Sequence, residues 1–130
     1  MSTAVAAALR ARACGELPSE AAVELLLATR CWLRRDDFVA GFVHAWPGLL
    51  GGIDDAVIDW AAAICALRAG QLPSSAGERR VLLLSASLGE GIPVDLRDAI
   101  TGLDETNLEL VVTALLHAGG RPSGQGKGTL

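Results

Sequence analysis

The sequence predicts an all-α chain of six to seven helices in a single domain, built as two similar three-helix units related by a pseudo-twofold internal repeat. Three observations carry that expectation. A helix-start signal occurs twice, as Gly52-Ile53-Asp54 and as Gly102-Leu103-Asp104. The phrase Gly-x-Leu-Pro-Ser also occurs twice, at Gly15 to Ser19 and at Gly70 to Ser74, each time directly after an Ala, Leu and Arg mixture, which points to internal duplication. No segment alternates apolar and polar residues in the way a half-buried strand would.

Taken in order, Thr3 to Cys14 reads as a first helix ended by Gly15. Ser19 is placed to cap a helix over Glu20 to Leu33, with Val23, Leu26, Leu27 and Cys31 on one face. Asp36 or Asp37 opens a third segment whose Phe38, Val39, Phe42, Val43 and Trp46 form one apolar arc, and Pro47 stops it because the residue before a proline is pushed out of the helical region. Asp54 is the expected N-cap of a helix running to Gly70, with Ile53 packed on Ile58 as a hydrophobic staple. Val57, Ile58, Trp60, Ile64, Cys65 and Leu67 cover most of its circumference, so it is expected at the centre of the fold. In the second unit Ser75 and Glu78 have capping-box spacing, and Val81, Leu84 and Leu88 continue in helical step. A short helix over Val94 to Thr101 follows. Asp104 then caps the counterpart of the central helix, with Leu108, Val111, Val112 and Leu115 at i, i+3, i+4 and i+7. The chain therefore divides into an N-terminal helix (1–14), two units (15–69 and 70–118) and a Gly-rich tail (119–130) expected to be disordered.

At 130 residues the chain is the size of one ordinary domain with one core. Hydrophobic residues make up 51%, yet runs such as Trp60 to Leu67 fall far short of the ~20 residues that span a bilayer. Arg10 and Arg12 come after the apolar part of the opening, the reverse of a signal peptide's order, and a cytoplasmic protein is expected. Ten arginines against one lysine, with Ala, Gly and Leu abundant, suit the codon bias of a high-GC bacterial genome. A net charge of −4 without any basic run counts against nucleic acid and anionic membrane as partners. Cys14, Cys31 and Cys65 form no CxxC pair, and their odd number argues against a disulfide framework; they are expected to be small buried hydrophobes.

The candidate sites are few. Asp54, Asp55 and Asp59 could be read as a carboxylate cluster for a divalent ion, but the second copy keeps its acids as Asp104, Glu105 and Glu109, and capping with dipole complementarity accounts for both. No metal, cofactor or catalytic residue is therefore assigned. His44 is expected in solvent beside Asp37, and His117 in the last turn of its helix, where a cation is mildly favoured. Val94 to Leu116 has the outline of a helix-turn-helix, yet the reading helix would carry Glu105 and Glu109 and no basic residue, which opposes docking on phosphates. Among the tryptophans, Trp60 is expected in the core, and Trp46, next to Pro47 and the Gly48 to Gly52 segment, is the best candidate for an exposed anchor, with Leu49 and Leu50 beside it. The expected function is a non-enzymatic helical module that self-associates or docks on a protein partner. Its alternatives are a small-ligand-binding regulator with a pocket along Ala62, Ala63 and Ala66 and, further off, a DNA-binding regulator or a small enzyme.

Overall fold

A computed structural model describes residues 3–121; most of the expected tail lies outside the described residues. The elements are α1 (Thr3–Ala13), α2 (Leu17–Thr29), a 3-10 turn (Trp32–Arg34), α3 (Asp36–Phe42), β1 (Val43–Pro47), β2 (Ile53–Ile58), α4 (Trp60–Arg68), α5 (Ala76–Glu90), α6 (Leu96–Thr101) and α7 (Glu105–Ala118). The fold is thus mostly helical, with seven α-helices among the described residues, but it also contains a two-stranded antiparallel sheet.

That sheet is the main correction to the sequence reading. The apolar arc expected to stay helical through Trp46 leaves the helix at Phe42 and continues as β1. The segment expected to begin a helix at Asp54 is instead β2. Gly51 and Gly52 both take positive φ, 92° and 73°, a conformation glycine adopts without steric cost, and they reverse the chain. Gly48 N–H donates to the Gly52 carbonyl at 3.1 Å across that reversal. Val43, Ile53, Val57 and Ile58 supply the β-branched side chains that suit a pleated surface. On β2, Ala56 and Ile58 turn into the core, which is the period of two that defines a strand face. Pairing runs from Val43 opposite Ile58 to Trp46 opposite Asp55, then shifts so that Pro47 faces Ile53. Asp54 is the extra residue of the resulting β-bulge, not a helix cap. The cap is Asp59, whose Oδ1 accepts the Ala62 N–H at 3.1 Å to open α4. Asp54 to Ile58 and Asp104 to Leu108 therefore differ in conformation, strand against cap and helix.

Local capping elsewhere follows the sequence closely. Ser75 and Glu78 form a reciprocal capping box at the start of α5, with contacts of 3.2 and 2.9 Å. Asp104 accepts the Asn107 N–H at 2.7 Å to open α7. Ser19 is not a cap, because α2 begins two residues earlier with Pro18 in its first turn, where a missing N–H costs nothing. Glu20 instead reaches back to accept the Gly15 N–H at 2.8 Å.

The centre of the molecule is the α2 and α5 pair, not the helix after Asp54. Ala22, Val23 and Leu26 of α2, with Leu82 and Ala86 of α5, face a larger cluster holding Leu9, Trp32, Phe38, Ile58, Trp60, Ile64 and Leu67. Ala21 and Leu25 of α2, with Val81 and Leu84 of α5, face a second cluster with Ala99, Val111 and Ala114. Alanines at positions 21, 22 and 86 and the buried Ser85 let the two helices approach closely. Trp32 locks the 3-10 turn against this centre, its indole N–H donating to the Glu78 carbonyl at 2.9 Å and its ring lying 5.5 Å from that of Phe38. Arg35 stacks over the same ring at 4.9 Å while holding Asp37 and the Pro73 carbonyl.

Candidate functional site

The hairpin puts the expected anchor residues at its outer end. Trp46 is 49% exposed, and Leu49 and Leu50 are fully exposed in the connection between β1 and β2. Along β1 only Val43 is buried, while the residues after it are exposed, and among the described residues β1 pairs with β2 alone. Leucines held fully in water in a well-defined turn contribute nothing to the core of this chain.

A second exposed apolar group was not foreseen. The expected face of α7, Leu108, Val111, Val112 and Leu115, splits between two environments. Val111 and Ala114 are buried against α2 and α5, whereas Leu108, Val112, Leu115 and Leu116 all stand exposed, at i, i+4, i+7 and i+8 along one stripe of the helix. Glu105 and Glu109 border that stripe, and both are exposed. The periodicity marks an apolar arc; of its four residues the protein buries only Val111.

The carboxylates do not form a cluster. Asp55 pairs with the Arg12 guanidinium of α1, Asp59 caps α4, and Asp54 sits at the bulge beside Gly48. No three His, Cys, Asp or Glu side chains are grouped as a metal ion would need among the described residues. His44 is half exposed, as expected, but lies on β1 and not on a helix, with Nε2 3.9 Å from Asp59 Oδ2. His117 is more engaged: its Nε2 lies 2.7 Å from Glu20 Oε1, joining the end of α7 to the start of α2. The Gly15 N–H, and then His117, hold the Glu20 carboxyl below its usual range.

The cysteines depart from expectation, since Cys14 and Cys65 are exposed and Cys31 is half-buried. Burial, followed by the neighbouring Glu78, pushes the Cys31 thiol up to about 11, which makes it a poor nucleophile at neutral pH. Cys14 shares a cavity of about 320 Å³ with Glu20 and His117. The thiol makes no hydrogen bond to the imidazole, whose Nε2 is committed to Glu20, so the contact that activates a nucleophile is not formed.

The alanine strip expected to line a pocket is packed instead: Ala63 and Ala66 are buried in the main core. Another opening lies elsewhere, a cleft of about 330 Å³ between α1, the start of α2, β2 and the end of α5. Its walls combine residues from distant stretches of the chain, and nothing in local spacing signals it. No helix is long and apolar enough to cross a membrane among the described residues. Comparison with protein-family models, curated proteins and solved structures finds no match to this chain.

Proposed function

We propose that the chain is a non-enzymatic protein-interaction module that docks on a protein partner through the tip of the β1–β2 hairpin. The observation that carries this reading is the exposure of Trp46, Leu49 and Leu50 together at the outer end of one hairpin. Burying a leucine or tryptophan side chain in a partner's pocket is worth roughly 1.5–3 kcal/mol each, and tryptophan is a recurrent hot-spot residue. The unpaired edge of β1 offers backbone groups to an added strand, which fits the same docking direction. The test compares capture of a partner by the wild type with capture by Trp46→Ala and by the Leu49→Ser, Leu50→Ser double variant. These changes lie outside the core, so melting temperatures should hold within a few degrees while capture is lost. A partner bound equally by all three proteins would refute the assignment of the hairpin.

The stripe on α7 favours a second reading, self-association through Leu108, Val112, Leu115 and Leu116. Light scattering at increasing concentration decides it: a dimer that Val112→Glu converts to monomer supports this reading, and a monomer at all concentrations removes it.

A further inference from the structure

The cleft of about 330 Å³ is walled by charged groups from four separate stretches of the chain. Leu9, Ala13, Val23, Ala56 and Ile58 give it an apolar floor, and Arg12, Glu16, Asp59 and Glu90 stand around it. Arg12 is neutralised by Asp55. Glu16 accepts the Ser19 hydroxyl at 2.8 Å and Asp59 caps α4, while Glu90, at the exposed end of α5, has no polar partner among the described residues. Two helices end at the cleft, α1 and α5, and two begin there, α2 and α4. Their terminal dipoles offset, and the side chains leave the site negative.

Trp60 supplies a second, independent signal. It is only 8% exposed and lines the same cleft, yet its indole N–H donates to no acceptor among the described residues, although a buried indole normally finds one. The nitrogen edge of the ring lies against Gly89, where an added Cβ would come within 2.5 Å of Nε1, and Gly89 is itself part of the cleft wall. Ser85 Oγ is the polar side-chain atom that is both sealed and unpartnered among the described residues; the Trp60 nitrogen, unpartnered as well, is not among the fully sealed atoms.

We infer that this cleft binds a small organic amine carrying an apolar body and a carbonyl-type acceptor. Glu16 and Glu90 hold the ammonium group, the floor covers the apolar body, and the Trp60 indole N–H donates to the acceptor. The probe is leucinamide, which has all three features in a compact molecule, with N-acetyl-leucinamide as the uncharged control. Titration is followed by the indole N–H resonances in proton–nitrogen correlation spectra, with the Trp60 signal assigned by its loss in Trp60→Phe. The expected result is a saturable shift of the Trp60 signal with leucinamide, at least about tenfold weaker binding of the acetylated control, and a similar loss in the Glu16→Gln, Glu90→Gln double variant. Both carboxylates are exposed, so that variant keeps its fold even if Trp60→Phe does not. A Trp60 signal unmoved at about 10 mM leucinamide, where a site with a Kd of about 1 mM would be roughly nine-tenths filled, or equal binding of the two probes, overturns the inference. So does unchanged binding by the double variant.

Discussion

Asp59 and Asp54 offer a sharp contrast, because the sequence favours Asp54 as the helix cap and the fold gives that role to Asp59. In Asp59→Ala the Ala62 N–H, held at 3.1 Å, loses its acceptor, and water replaces it only in part. The usual loss for such a cap is about 1 kcal/mol. With an unfolding entropy of about 2.1 cal/mol/K per residue, a chain of this length loses roughly 4 °C in Tm for that change. Asp54 is the unpaired residue of the bulge and accepts no hydrogen bond among the described residues. Asp54→Ala should therefore stay within about 0.5 kcal/mol of the wild type, roughly 2 °C. Thermal unfolding followed by circular dichroism at the helical band measures both. An Asp54→Ala loss equal to or larger than that of Asp59→Ala would mean that the helix begins at Asp54 and that β2 is misassigned.

Three further outcomes follow from the packing and the titrating groups. Ser85 Oγ is buried on α5 without a partner among the described residues, so Ser85→Ala should raise stability by about 0.5–1 kcal/mol, from the removed polar group and the better helix former; a lower melting temperature would refute this. The rise of the Cys31 thiol from 9.0 to about 11 cuts its thiolate about a hundredfold at pH 8, and the greater basicity recovers about half of that in logarithmic terms, so Cys31 should react about tenfold more slowly than an ordinary thiol. Mass-resolved alkylation should show Cys14 and Cys65 modified first, with the Cys14 rate unchanged in His117→Ala; a large drop there would reveal a nucleophile–base pair. Glu20 has a depressed folded pKa, so its contribution is complete above the ordinary glutamate value and lost as the pH falls through the folded value. The gap in melting temperature between wild type and Glu20→Gln should accordingly close on acidification, and a gap that widens would contradict the sign.

What the sequence disclosed and what it hid divide along the range of the interactions. Ser75, Glu78 and Asp104 were legible as caps because each cap bond spans three residues, and both partners sit in one short window. Trp46, Leu49 and Leu50 were legible as candidates because Pro47 and the flanking glycines exclude them from a helix interior. The hairpin itself was hidden: Phe38 to Trp46 fits a helical arc as well as a helix turning into a strand, and the choice is made by β2 packing on α1 through Ala56, Ile58 and the Arg12–Asp55 pair. The start signals Gly52-Ile53-Asp54 and Gly102-Leu103-Asp104 are alike within one short window, yet the first opens a strand and the second a helix. The exposed stripe of α7 and the cleft beneath Trp60 were illegible for the same reason, since each depends on which neighbours the fold supplies or withholds.

Site-specific photo-crosslinking tests the docking proposal most directly. A photoreactive residue is placed at Leu50 on the hairpin tip and, in a separate protein, at Arg97 on the exposed side of α6, and each is irradiated with extract of the source cells. The expected result is one crosslinked protein from position 50, absent from position 97 and abolished when Trp46→Ala is introduced into the same chain. Crosslinks of equal yield from both positions, or a position-50 product indifferent to Trp46, would contradict the hairpin as the docking element.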